Sequence, residues 1–312
     1  MAPLVSAAKN VASSKSLMIT QEARAFDSKL RTLIETRICK SKLRCKEKSQ
    51  GSEFGFELPA DLIELLKSCA RSSIPSLQQL ATSCILSLVR ICSVTQSSSM
   101  IAPVATLLKG LSLDFFSKKK GLSNSKLFDE VILRYQDLAA VALSESLVSG
   151  MMHGASPFLK TEAFRLLSSI LKKRKSLLSS GTNAIVSNLE PSIQAVASIL
   201  SDKDIKEARS FKPKHYEAII ACAKDMAQFI SESQEIEGCS KIASQLHAVM
   251  KKGGKSDLKD SLKKIAESVA HQLDPFKSDG SLLQGDQHKK KRKVSSAEVK
   301  ESAKRKSKGD KL

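Results

Sequence analysis

The chain has no tryptophan, only two tyrosines (Tyr135 and Tyr216), and 4% aromatic residues in 312. A core large enough for this length must therefore be built from Leu, Ile, Val and Ala, since 41% of residues are hydrophobic. Long apolar runs are missing as well. None approaches the roughly 18 residues that span a bilayer, and the opening Met1–Val5 lacks the basic flank and apolar core of a secretory signal. The expectation is a soluble, intracellular chain with no membrane partner. Cysteines are seven, an odd number, and no two form a CxxC pair. Cys84 and Cys92 fall on an apolar stripe, where a thiol packs as a small hydrophobe, so reduced cysteines are expected. Acidic residues are scarce: 32 Asp+Glu face 51 Lys+Arg, a formal charge of +19.

Signs of catalysis are also missing. Gly253-Gly254-Lys255-Ser256 lacks the upstream glycine and strand of a phosphate loop, and reads as a flexible link. Asp202 and Asp204 form an Asp-x-Asp pair at the spacing of a two-metal site, but they follow Leu200-Ser201, where Ser and Asp cap helix ends. The histidines (His153, His215, His247, His271, His288) form no zinc spacing, and Cys39 and Cys45 make a weak metal pair. No serine or cysteine stands in a nucleophile elbow. The reading is no catalytic residue, no metal and no cofactor.

What is present is helical periodicity. Phe26, Leu30, Leu33, Ile34 and Ile38 recur at three- and four-residue spacing over 20–40. Pro59 opens a helix through Leu62, Ile63, Leu66 and Cys69, and Pro75 opens the next, through Leu77, Ala81, Cys84, Ile85, Leu88 and Cys92. A further helix is expected over about 99–117. The longest regular pattern covers 125–149, with Leu127, Phe128, Val131, Ile132, Tyr135, Leu138, Ala139, Ala142, Leu143 and Leu147 in period and Gly150 as a stop. Ser156-Pro157 is a start signal. Later helices are expected at about 182–200, 213–233, 235–251 and 256–273. No strand pattern appears. The fold class is all-α: an irregular HEAT/armadillo-like helical repeat array, with a globular bundle as the alternative. The expected organisation is a disordered or truncated edge over 1–19, a helical array over 20–273 with a mobile basic loop at about 41–56, and a disordered basic tail over 274–312.

Basic residues form clusters. Lys289, Lys290, Lys291, Arg292 and Lys293 are five consecutive cations followed by Val294, and Lys304, Arg305 and Lys306 follow at two-part spacing. An extended peptide of this kind lays basic side chains into acidic pockets of an import receptor, which predicts a nuclear address; a solubilising basic tail is the plainer reading. Segment 288–312 holds eleven Lys/Arg against three Asp/Glu, so it contributes +8 and leaves +11 on the body. The body has three further clusters: Arg37, Lys40, Lys42, Arg44, Lys46 and Lys48; Lys118, Lys119 and Lys120; and Lys172, Lys173, Arg174 and Lys175. At loops and helix ends of a stacked array such clusters can line one edge and follow a phosphate backbone without reading sequence.

The segment from Leu111-Ser112-Leu113-Asp114-Phe115-Phe116 to Phe128-Asp129, with the Ser/Lys-rich end, resembles the C-terminal region of the Myb-binding protein 1A family, whose fungal and plant members are often named DNA polymerase V or phi. The resemblance implies a nucleolar helical-repeat protein that associates with rDNA or pre-rRNA, binds transcription or ribosome-assembly proteins, and supports rRNA production. It also implies that the chain is a portion of a longer solenoid. No residue matches a polymerase carboxylate set; the alternatives are a DNA polymerase or polymerase-associated subunit, as the family name suggests, or another HEAT-type ribosome-assembly factor.

Overall fold

A computed structural model describes residues 28, 60–72, 75–95, 98–118, 122, 125–201, 211–233, 238–253 and 258–274. The chain divides into two compact units, Met1–Lys277 and Ser278–Leu312, and every described residue belongs to the first. The expected edge over 1–19, the helix over 20–40, the basic loop at 41–56 and the tail over 274–312 thus lie outside the described residues, apart from Ser28, which is helical, and Asp274.

The described residues form ten α-helices and no strand: α1 Ala60–Ala70, α2 Pro75–Thr95, α3 Ser98–Phe116, α4 Lys126–Arg134, α5 Gln136–His153, α6 Pro157–Lys172, α7 Ser179–Ser201, α8 Pro213–Glu232, α9 Cys239–Gly253 and α10 Asp260–Gln272, with a 3-10 turn at Arg174–Ser176. They stack in two layers. Helices α1, α3, α5, α7 and α9 pack in succession on one another, and α2, α4, α6, α8 and α10 do the same in the second layer. Successive helices run in opposite directions across short connections, so helices within a layer are parallel. The expected all-α repeat array is therefore the fold.

Contacts between parallel neighbours measure the repeat. Between α3 and α5, Ser146 donates to Ser112 Oγ at 2.9 Å, a separation of 34 residues. From α4 to α6 the Asp129–Arg165 pair spans 36 residues, and from α1 to α3 the Arg71–Asp114 pair spans 43. From α7 to α9 Gln245 reaches Glu190 across 55, and from α6 to α8 Ser168 and Asp225 are 57 apart. A repeat whose pitch ranges this widely leaves no fixed period in the sequence.

The core is one continuous aliphatic band from Leu62 to Leu273. Fully buried alanines at 81, 139, 140, 163, 195, 223 and 227 let helices approach closely where large side chains would hold them apart. Phe115, Phe116 and Phe128 form an edge-to-face cluster, with centroids 5.2 Å and 5.8 Å apart, at the end of α3. Cys69, Cys84, Cys92, Cys222 and Cys239 are buried thiols outside any disulfide, and burial pushes the Cys92 thiol up to about 12.

Local signals decide several boundaries. Ser156 sits in extended backbone and accepts a hydrogen bond from Leu159 N at 3.3 Å, and Pro157 takes the first helical position of α6, as expected. The single helix expected over 125–149 is instead two. Tyr135 leaves helical geometry (φ −149°, ψ 89°), so α4 lies in one layer and α5 in the other, joined by one residue. The apolar period reads through the corner because both segments face the same core.

Gly150 is no stop: α5 continues to His153. A Cβ at Gly150 would stand 2.6 Å from Cγ of Phe116, so the glycine is there for the ring that lies on it. Helix α7 starts at Ser179, three residues before the expected 182. Asp137 of α5 accepts hydrogen bonds from Leu178 N (3.0 Å), Gly181 N (2.9 Å) and Ser180 Oγ (2.8 Å), capping a helix more than 40 residues away.

Candidate nucleic-acid interface

The two-layer topology creates two edges. The first gathers the C-termini of α1, α3, α5, α7 and α9 with the N-termini of α2, α4, α6, α8 and α10. The second gathers the opposite ends. The Phe116–Gly150 contact fixes the C-terminal half of α5 to the first edge, and the Asp137 cap fixes its N-terminus to the second. At 1.5 Å per residue, those two points on α5 are about 20 Å apart.

The expected basic clusters do not share one edge. Lys118 lies just beyond α3 on the first edge and is exposed, whereas Lys172, Lys173, Arg174 and Lys175 end α6 on the second. Lys119 and Lys120, the Arg37–Lys48 cluster (Arg37, Lys40, Lys42, Arg44, Lys46, Lys48), Asp202, Asp204 and the basic tail (Lys289 to Lys293, Lys304, Arg305, Lys306) are outside the described residues.

Within the second-edge cluster the four cations differ. Arg174 is the least exposed, its side chain 13% accessible. Its guanidinium donates to both oxygens of Glu232 at 2.5 Å and to Leu171 O at 3.3 Å, which ties the end of α6 to the end of α8. The same hydrogen bonds hold the Glu232 carboxyl at about 2, well below the usual carboxylate range. Lys172 lies 3.6 Å from Asp225, whose Oδ2 also accepts from Ser168. Lys173 and Lys175 are exposed. Much of this cluster is thus structural, joining consecutive repeats.

The first edge carries cations that do not look clustered in the sequence. Lys126 opens α4, Lys160 lies in the first turn of α6, Lys212 and Lys214 flank Pro213 at the start of α8, and Lys259 precedes α10. Lys251 and Lys252 add the C-terminus of α9. Acidic groups on this edge are fewer. Asp129 and Glu162 share Arg165, which donates to Asp129 at 2.9 Å and to Glu162 at 2.6 Å. Burial pushes Glu162 up, but hydrogen bonds from Arg165 and Ser125 outweigh it and hold the carboxyl below its ordinary value. Asp260 pairs with Lys263 at 3.6 Å, and Glu217 is exposed on α8.

His215 senses the resulting field. Burial, with Lys214 and Lys212 alongside, lowers its pKa. The imidazole Nδ1 accepts from Lys212 N at 2.9 Å and closes the first turn of α8.

Among the described residues no group of His, Cys, Asp and Glu side chains is placed to hold a metal ion, and no helix is long and apolar enough to cross a membrane. His153 and His271 are exposed, while His215 and His247 are buried. His288 is outside the described residues.

The profile of the family described as Myb-binding protein 1A-like, TPR repeats, matches residues 1–273. The chain belongs to this family. No curated protein and no solved structure matches it. Membership in the Myb-binding protein 1A-like family agrees with the resemblance seen at Leu111–Asp129. The family description names TPR repeats, and the 34-residue step between α3 and α5 equals the length of one such unit. The other steps are longer. The array is accordingly a helical scaffold of irregular pitch.

Apart from Lys118, the first-edge lysines were missed in the sequence because each stands alone or beside one other. A signal was available: each of Lys126, Lys212, Lys214 and Lys259 lies at the start of a helix, where acidic or capping residues are the rule.

Proposed function

We propose that this chain is a nuclear, nucleolar scaffold without enzymatic activity, holding rDNA or pre-rRNA together with transcription or ribosome-assembly proteins in support of rRNA transcription and ribosome biogenesis. The observation that carries the reading is the family match over 273 residues on a chain of net charge +19. With +8 in the tail and +11 on the body, an anionic partner is favoured wherever the protein meets one. Lys289–Lys293 and Lys304–Lys306 supply the address for an import receptor. Contacts to nucleic acid are non-sequence-specific in this reading, made to phosphates rather than base edges.

The test has two arms. A fluorescent fusion in which Lys289 to Lys293 are alanine should shift towards the cytoplasm; unchanged nuclear accumulation sinks the import assignment. Crosslinking in cells followed by sequencing should recover rDNA or pre-rRNA above bulk chromatin and messenger RNA. Equal recovery of all nucleic acids would remove the rRNA role.

A further inference from the structure

We infer that the first edge of the array binds a single strand of nucleic acid, with its phosphates on Lys118, Lys126, Lys160, Lys212 and Lys214 and a base stacked on Phe158. The inference rests on the nucleic-acid reading above and assigns it a place and a strand type.

Two features single out this edge, and both are departures from the local rules of helix stability. Lys126, Lys212 and Lys214 lie at the positive ends of α4 and α8, where a cation is disfavoured. Asp129 in the first turn of α4 offsets Lys126, but no acidic residue occupies the first turn of α6 or α8. Lys118 departs differently. It is the one non-glycine residue with positive φ among the described residues (52°), at a helix end that favours glycine or asparagine. Helix stability does not favour lysine at positions 118, 212 and 214. Local violations that share one surface mark function rather than stability.

Phe158 makes the ligand a strand rather than any polyanion. It stands in the first turn of α6, between the starts of α4 and α8, and is 62% exposed, the most exposed large hydrophobic among the described residues. An aromatic ring amid lysines offers a face to an unpaired base, while a duplex keeps its bases stacked internally. Parallel helices in a layer lie about 8–10 Å apart, so lysines at the starts of α4, α6 and α8 form a row that a flexible strand can follow. One turn inward Arg165 offsets one of the two carboxylate charges, Asp129 and Glu162, and the lysines outnumber the one that remains, which leaves the rim positive.

The test uses the full chain with Lys289 to Lys293 replaced by alanine, so that the tail does not dominate binding. Fluorescence anisotropy is measured against a labelled oligouridylate, the matching oligodeoxythymidylate, and a duplex of equal length. Three variants are compared: Phe158→Ala; a first-edge triple of Lys126→Gln, Lys212→Gln and Lys214→Gln; and a second-edge triple of Lys172→Gln, Lys173→Gln and Lys175→Gln. Phe158→Ala should weaken both single strands by about 5- to 150-fold and leave the duplex unchanged. The first-edge triple should lower the salt slope for single strands by about two. It should melt at or above the parent temperature, because the lysines removed oppose the helix dipoles. The second-edge triple removes equal charge and should leave affinity within about twofold. Oligouridylate bound more tightly than oligodeoxythymidylate identifies RNA as the source, and the reverse identifies DNA. Equal loss from the two triples, or a Phe158→Ala effect as large on the duplex, overturns the edge assignment and leaves the parent reading standing. No binding by the parent to any of the three probes overturns both.

Discussion

Replacing Gly150 with alanine should destabilise the protein, although alanine is the better helix former. In a helix interior the exchange is worth roughly 1 kcal/mol in favour of alanine. The new methyl would stand 2.6 Å from Cγ of Phe116 and 2.8–2.9 Å from both Cδ atoms. Cγ is the root of the ring, so rotation about χ2 does not relieve the clash, and the whole side chain must move. Phe116 is 3% exposed, and its ring packs edge-on against Phe115 at 5.2 Å, which in turn packs on Phe128. Overpacking of this kind costs about 1–3 kcal/mol, and a clash at the root of a confined ring belongs near the top of that range. The net expectation is a loss of about 2 kcal/mol, or a fall in Tm of roughly 4–8 °C for an array of this size. Gly110 supplies the control. It lies in α3, and its added Cβ would meet only Lys67 Cε at 3.9 Å, so Gly110→Ala should gain up to about 1 kcal/mol. Urea titration followed by circular dichroism reads both variants, and Phe116→Leu in the Gly150→Ala background should recover part of the loss. A Gly150→Ala protein as stable as the wild type would refute the account of the α3–α5 contact.

Asp137→Ala should cost about 2–3 kcal/mol, because it leaves two amides at the start of α7 without their acceptor in a buried setting, and hydrogen exchange at Leu178 and Gly181 should speed up while that at Ile230 does not. Arg174→Gln should remove a pH-dependent increment of stability. Glu232 is held at about 2 against an ordinary value near 4.5, so the Arg174 contribution is complete above pH ~4.5 and fades as the pH falls towards 2. The carboxylate side chain is 42% exposed, so screening keeps the increment under about 1 kcal/mol, and wild type and variant should converge in urea titrations at pH 2. Iodoacetamide at pH 8 should leave Cys84, Cys92 and Cys222 unmodified in the native protein, because they are fully buried and burial raises Cys92 and Cys222; rapid labelling at any of them would contradict the packing of α2 and α8.

Helix positions were legible where the controlling residues are local. Ser156-Pro157 names the start of α6, and the apolar stripes name the buried faces of α1 and α2. Two of the misreadings share a cause. The extension of α5 through Gly150 and the early start of α7 each depend on a partner from another repeat. Phe116 is 34 residues from Gly150, and Asp137 is 44 from Gly181, so no window of helical length contains both members. The basic residues divide in the same way. Lys172–Lys175 are conspicuous as a run, yet Arg174 is engaged by Glu232, 58 residues on. The first-edge lysines other than Lys118 are inconspicuous along the chain and converge only when alternate helices are stacked. Charge could be counted from the sequence; its sorting onto two edges required the topology.

The unequal spacing of the stacked helices has a consequence for how such a chain tolerates change. Because each helix rests on the next but one through its own set of contacts, the 34-residue step and the 57-residue step are separate joints. Residues added to a connection lengthen one joint and leave the others as they were. The single-residue corner at Tyr135 is the exception, with no slack to absorb an insertion, so α4 and α5 must be gained, lost or shifted together.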